Sequence, residues 1–523
     1  MFYVGQPTNT REYYPAAGEL TEARIELDLL EKQERALLAQ LHVVRNAAQV
    51  QRIRIKDLVK QIPAPISRLP NETLLQIIQQ SLHPYAHPGP NLCLAYYRWK
   101  QQLAGVSRRW RDLILRSPVL WTTIKVTPSW SDSLVTTYIT RSCQSPLDID
   151  FCYWTAGKEM LIAMLDIIVP CAHRWRSLII RDSVPYFHLS LVVQRIGDLS
   201  FPSLKRVSIT PRHFDKASDD WNSRFLRPGN ARQLEYLELG RQFVVSADFT
   251  IPSSLSTLVL GLHRGENAVL SSLLELPSCA KLIVLSLSGN IGVFHQRPPN
   301  SVQLPLLEKL ICKASDVGGL LHAIVAPKLG HFEYRPIHVD DISADLFTGL
   351  ESKFNNVTRI VLFSSGIEHD IELVCMAFPG VRHVVLHEDD AKAVFSPEDM
   401  APDPSSWKYL ESLAIEGSHV RNYPPYLDNF VAWLWDRQFI GQPKLRVRLC
   451  SFHGDASWFS TVQRALQDLC ILEWVNIRLN ASMGISGIAG GSLSTQWSSA
   501  SDLSSEFIGE VVENMCNRQV ACR

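Results

Sequence analysis

The sequence predicts an α/β protein: a helical N-terminal part followed by a long parallel sheet assembled from stacked repeats. Three observations lead there. From Trp175 onward the pattern apolar-x-x-apolar-x-apolar keeps returning, Glu19 to Gln61 runs without Gly or Pro with apolar residues alternately three and four apart, and two short apolar stripes at helical spacing lie between them. The chain has 523 residues, 46% of them hydrophobic, which is enough for a large core and roughly two to four domains or one long array.

Residues 1–18 are polar and aromatic without an apolar run, and read as a flexible arm. In 19–62, Leu27, Leu30, Leu37, Leu41, Val44, Ala48, Ile55, Leu58 and Ile62 form a heptad seam. Glu34 and Gln51 interrupt it at core positions, where a polar residue costs stability and fixes register or orientation. The seam predicts a coiled coil that pairs the chain as a homodimer or packs back on the next segment; one amphipathic helix lying on the chain's own surface satisfies the same pattern. Pro63 and Pro65 end the helix in a short stiff link.

Segment 64–126 opens with Pro70 at a first helical position, where its missing N–H costs nothing, and Glu72 in the first turn, where the helix dipole favours negative charge. Leu74, Leu75, Ile78 and Leu82 make one helical stripe. Leu103, Val106, Trp110, Leu113 and Ile114 make a second, ended by Ser117-Pro118. Two short amphipathic helices need a third surface to bury against. Leu69-Pro70, the run Val106-Ser-Arg-Arg-Trp-Arg-Asp and Ser117-Pro118-Val-Leu-Trp121 occur in that order, and in this the segment resembles an F-box, as found in the numerous F-box proteins of mushroom-forming fungi. The resemblance implies a small helical module that docks on the Skp adaptor of a cullin ubiquitin ligase. Leu69, Pro70, Leu74, Ile77, Ile78, Val106, Trp110 and Leu113 are the contact residues expected; core of a helical hairpin is the other reading for Leu74, Ile78, Val106 and Trp110. The segment departs from the family at Ser107, where fungal relatives often carry Cys, and in a Pro- and aromatic-rich insertion from His83 to Trp99.

In the domain 127–480, preceded by the strand-like Thr123–Val126 and joined at Leu147–Phe151, the repeat can be read at Trp175/Leu178/Ile180, Leu204/Val207/Ile209, Leu234/Leu237/Leu239, Leu255/Leu258/Leu260, Leu282/Leu285/Leu287 and Leu307/Leu310/Cys312. It continues at Leu329/Phe332/Tyr334, Val357/Ile360/Leu362, Val381/Val384/Leu386 and Leu410/Leu413/Ile415, then after a gap at Leu472/Val475/Ile477. The last two apolar positions are two apart and so share one face of a strand, while the first turns the chain inward ahead of it. One unit cannot cover its own apolar face, so neighbours must stack. Pro202, Pro305, Pro327 and Pro379 each stand two residues before a first apolar position, where they block helix extension. Segments 266–274 and 370–378 read as helices on the outer side. Recurring roughly every 20 to 30 residues, the units resemble leucine-rich repeats. That resemblance implies an irregular solenoid with its parallel sheet on the concave face. Only the unit from Leu282 carries the later Asn, at Asn290.

Lys and Arg total 52, as do Asp and Glu, which leaves no net charge to attract nucleic acid or an anionic membrane. The 11 cysteines show no metal-ligand spacing, and no signal peptide or membrane span is visible; cytoplasm or nucleus is the expected compartment. His383 and His387, four apart on a predicted strand, would stand about 13 Å apart, too far to share one ion. Gly484-Ile-Ser-Gly-Ile lacks the second glycine of a nucleophile elbow. No residue calls for catalysis, a cofactor or a metal. The repeat register places Lys309, Lys313, His331, Glu333, Arg335, Arg359, His383 and His387 on the concave side, a mostly basic strip suited to an acidic or phosphorylated target segment. An ordinary solvated sheet face is the alternative. Residues 481–523 are Gly- and Ser-rich at first and read as a flexible tail, with a short helix at 507–515. The expected whole is the substrate receptor of a Skp–cullin–F-box ligase; a repeat scaffold outside any ligase is the runner-up.

Overall fold

A computed structural model of the chain describes residues 15–479, apart from internal segments of which the longest are 82–89, 211–222, 241–250, 263–273, 338–345, 365–370, 396–406 and 418–425. The expected helix 266–274 falls almost wholly outside the described residues, as do the tail, the nucleophile-like motif and the terminal helix. The chain divides into two compact units, Met1–Ser81 and Leu82–Arg523.

The first unit holds helix α1 (Pro15–Gln61), a 3-10 turn Pro65–Arg68 and helix α2 (Asn71–Ser81). α1 begins four residues earlier than the arm expected over 1–18 allows, because Pro15 opens it without giving up a hydrogen bond. Lys32 and Asp28 pair at 2.6 Å one turn apart on its surface. In α2, Pro70 stands one position earlier than expected: its carbonyl accepts the N–H of Leu74 at 3.0 Å, the role of a cap. Leu74 and Ile78, four apart, are fully buried.

The second unit opens with helix α3 (Pro90–Val106), which packs on α4 (Arg108–Arg116). The single stripe expected from Leu103 to Ile114 is thus two helices. Ser107 separates them: its backbone is extended (φ −159°, ψ 166°) and its hydroxyl accepts the N–H of Trp110 at 3.2 Å. A serine there supplies an N-cap, which is the physical reason for the break. Residues 90–99, expected as insertion, are the front of α3, and 82–89 lie outside the described residues. After α4, Ser117-Pro118 starts a 3-10 turn, Pro118–Trp121, whose Trp121 Nε1 donates to the Ile114 carbonyl at 2.8 Å.

The strands follow as β1 (Thr123–Val126), β2 (Leu147–Phe151), β3 (Trp175–Ile180), β4 (Arg206–Ile209), β5 (Tyr236–Leu239), β6 (Thr257–Leu262), β7 (Val284–Gly289), β8 (Val302–Gln303) and β9 (Lys309–Lys313). The rest are β10 (Ile324–Val325), β11 (His331–Tyr334), β12 (Arg359–Leu362), β13 (His383–His387), β14 (Ser412–Glu416), β15 (Leu445–Cys450), β16 (His453–Gly454), β17 (Cys470–Val475) and β18 (Arg478–Leu479). Fourteen of them make one parallel sheet in sequence order, while β8 with β10 and β16 with β18 form separate pairs. Sequential order without crossing is what stacked repeats produce. The sheet starts at Thr123, inside the segment assigned to the F-box by resemblance.

The two apolar positions of the repeat become two continuous ladders. One runs Ile124, Ile149, Leu178, Val207, Leu237, Leu258, Leu285, Leu310, Phe332, Ile360, Val384, Leu413, Val447 and Leu472. The other starts at Val126 and Phe151 and ends at Leu449 and Trp474. Both are buried as far as β15, each full side chain contributing roughly 1.5–3 kcal/mol. Leu472 and Trp474, on the edge strand, are half-buried.

The first apolar position has its own geometry. The N–H groups of Leu204, Leu307, Leu329 and Val381 donate to the carbonyls of Phe201, Leu304, Ala326 and Phe378 three residues back. Pro202, Pro305, Pro327 and Pro379 therefore occupy the second position of a β-turn, which their locked φ favours. They shape the entry turn as well as ending whatever precedes it. The helix expected over 370–378 is found at Ile371–Ala377. Two differences appear near the end. The gap after Ile415 is filled by β15, whose Leu445, Val447 and Leu449 alternate inward; of the expected triplet Leu472/Val475/Ile477, Ile477 lies outside the described residues, and register sets Leu472 and Trp474, not Val475, beside Val447 and Leu449.

Candidate functional site

Side chains between the ladder positions stand on the opposite, open face of the sheet. Register there places Lys309, His331, Arg359 and His383 side by side on β9, β11, β12 and β13, followed by Ser412 and Arg446. Adjacent strands lie about 4.8 Å apart, so these groups form a row rather than a scatter. A parallel row holds Ile311, Glu333, Val361, Val385, Ala414 and Arg448. Lys313, Arg335 and His387 lie beyond it. All seven residues expected to bind a target therefore lie in one stretch of the sheet, brought together from about 80 residues of sequence.

The strip is less uniformly basic than its sequence suggests. Arg335 Nε donates to Glu333 Oε1 at 2.8 Å and stacks 3.4 Å from the ring centre of Phe363. His331 Nε2 lies 3.9 Å from Glu333 Oε2. Burial pushes the Glu333 carboxyl up, but His331 and the charges of Arg335, Lys309 and Lys313 outweigh it and hold it at about 2. Glu333 is thus an ionised internal counter-ion. Burial also lowers His331, with Lys309 and Arg359 acting the same way against Glu333. Lys309 and Arg359 are pushed down by burial as well, each opposed by Glu333.

Two of the expected residues have local duties. His383 Nδ1 is 2.8 Å from Ser412 Oγ. His387 caps the helix Glu388–Val394, its Nδ1 accepting the Asp389 N–H at 3.4 Å, so its lone pair is turned toward its own chain.

Arg446 and Arg448, on the strand that the repeat pattern missed, extend the row, and both reach Glu473, at 3.3 and 2.6 Å. The alternation Leu-Arg-Val-Arg-Leu over 445–449 was the available signal. Burial raises Glu416 on β14, against the charges of Arg335 and Arg359. The open face from β9 to β17 thus carries Lys309, Lys313, Arg335, Arg359, Arg446 and Arg448 against Glu333, Glu416 and Glu473, a net cationic surface that suits an anionic chain segment. At the other end of the sheet, buried Asp150 bonds Lys125 and lies 3.1 Å from Arg181 Nε. There one carboxylate is shared by two cations.

The residues expected to contact an adaptor divide by exposure. Leu74 and Ile78 are fully buried, so neither side chain is exposed to a partner. Leu69, Trp110 and Leu113 are half-buried, and Pro70 is exposed. Ile77 is 39% exposed and Val106 60%. Four further apolar side chains of the segment are exposed among the described residues, Ile66, Trp99, Leu115 and Val119. Helical spacing alone does not say which of two adjacent apolar stripes faces inward.

No sequence pattern marks Lys100 on α3. Its Nζ donates to the Leu120 carbonyl at 2.5 Å and Tyr138 Oη at 3.0 Å, 4.4 Å from the Tyr138 ring centre. It ties α3 to the Pro118–Trp121 turn and to helix α5 (Asp132–Arg141).

Among the described residues no group of three or more His, Cys, Asp and Glu is arranged to hold a metal ion, and no helix is long and apolar enough to cross a membrane. No protein-family model matches the chain, and no curated protein matches it.

Proposed function

We propose that this chain is a substrate receptor: the F-box-like helices bind the Skp adaptor of a cullin ubiquitin ligase, and the open sheet face from β9 to β17 holds an acidic or phosphorylated segment of a target protein. Ubiquitin transfer belongs to other subunits, in cytoplasm or nucleus. This chain contributes proximity, since holding a target beside the conjugating enzyme raises its effective concentration. The observation that carries the target-binding half is the row of Lys309, His331, Arg359 and His383 on adjacent strands. The adaptor half is supported by Ile77 and Val106, aliphatic side chains left exposed within the F-box-like sequence.

Co-purification of the full chain with the Skp adaptor tests the proposal. Replacing Ile77 and Val106 together by Ala is expected to lose on the order of 1 to 3 kcal/mol of docking energy, tenfold or more in affinity. Unchanged adaptor binding by that variant would reject the anchor. A repeat scaffold outside any ligase is the second reading, favoured by the burial of Leu74 and Ile78. Failure of the unaltered chain to bind the adaptor would select it.

A further inference from the structure

The apolar side of α1 is uncovered. Leu27, Leu30, Leu37, Leu41, Val44 and Ile55 are all exposed, on a helix of 47 residues. So much unburied apolar surface at heptad spacing calls for a partner helix.

We propose that a second copy of this chain covers it, the two α1 helices running antiparallel. The interruptions of the seam choose the direction. In a parallel pair each core layer sets a residue opposite itself, so Glu34 would meet the partner's Glu34 and two carboxylates would be desolvated together. Turning the second helix about a twofold axis between His42 and Val43 changes every layer. Leu41 then packs on the partner's Val44, Leu37 on the partner's Ala48, Leu30 on the partner's Ile55 and Leu27 on the partner's Leu58. In the same register Glu34 meets the partner's Gln51, whose amide N–H donates to the carboxylate. Two polar residues that each weaken a parallel core thus satisfy one another, twice per dimer.

The flanks agree. Antiparallel packing sets Glu31 beside the partner's Arg52, an attraction made twice. Parallel packing sets Glu31 beside the partner's Glu26, a repulsion, and Arg52 beside the partner's Ala47. Glu31 and Arg52 are exposed in the single chain, so both can be changed without disturbing a core.

Sedimentation equilibrium on the full chain tests the proposal. The unaltered protein is expected to dimerise with concentration, Arg52→Glu and Glu31→Arg each weakening the dimer on the order of tenfold and the double reversal restoring it. Arg52→Glu is the sharper probe, since it sets a carboxylate one turn before Lys56 and so helps the isolated helix. A chain monomeric at every concentration overturns the proposal. So does a dimer that Glu31→Arg strengthens while Arg52→Glu leaves it unchanged, the signature of parallel pairing, or one indifferent to all three variants, the signature of another interface. None of these outcomes depends on adaptor or target binding.

Discussion

Removing the buried ammonium of Lys100 should change how stability depends on pH. Lys100 is 2% exposed, and burial pushes its pKa down from 10.5 to about 7. The unfolded chain therefore binds more protons at this site than the folded one between those values, and stability rises with pH across that window. Below pH 7 both states are protonated and the full cost of the buried charge is present; above 10.5 it is gone. Integrating the linkage from pH 7 to pH 9 gives about 2 kcal/mol. Lys100→Met abolishes the titration and keeps most of the side chain's volume, so the stability of the unaltered protein relative to this variant should climb by that amount. Urea denaturation followed through tryptophan emission is a suitable readout, because Trp121 is buried beside Lys100, 5.1 Å from Nζ to its ring centre. A difference that stays flat from pH 7 to pH 9 would show that Lys100 is not a desolvated, titrating group and would remove it as the tie between α3 and α5.

Glu333 should behave in the opposite sense: its folded pKa of about 2 lies below its ordinary 4.5, so its stabilisation is present above 4.5 and lost as pH falls toward 2. Relative to Glu333→Gln, the unaltered protein should lose about 2 kcal/mol between pH 6 and pH 3 in denaturant titrations. Ser107→Ala removes the N-cap of α4 and should cost about 1 kcal/mol, read as a lowered midpoint. Lys309→Ala with Arg359→Ala, leaving Arg335 paired to Glu333, should weaken binding of phosphorylated peptides to the full chain on the order of tenfold, with the difference shrinking as salt is raised. Equal binding by that variant would reduce the strip to a solvated sheet face.

The strands were legible because their signal is local and periodic. Leu310 and Cys312 are two apart, as are Ile360 and Leu362, and a period of two is the pleat of a strand. The strand β15 escaped because its unit lacks the leading apolar residue three positions ahead, although Leu445, Val447 and Leu449 alternate cleanly. The break at Ser107 was present in the sequence as a capping residue, but the apolar stripe running through it spoke for one helix. Leu74 and Ile77 are both apolar on α2, and only packing separated the buried residue from the exposed one.

By itself the sequence determined that strands would form from Trp175 onward, that their apolar faces would align, and that α1 would be a long helix with an apolar seam. Each follows from interactions within a few residues of chain. The tertiary structure alone decided which polar side chains become neighbours. Glu333 and Arg359 lie on different repeats, and stacking placed them on adjacent strands, where burial and mutual charge reset their ionisation. Lys100 meets Tyr138 in the same way, across a gap in the sequence that no local pattern spans.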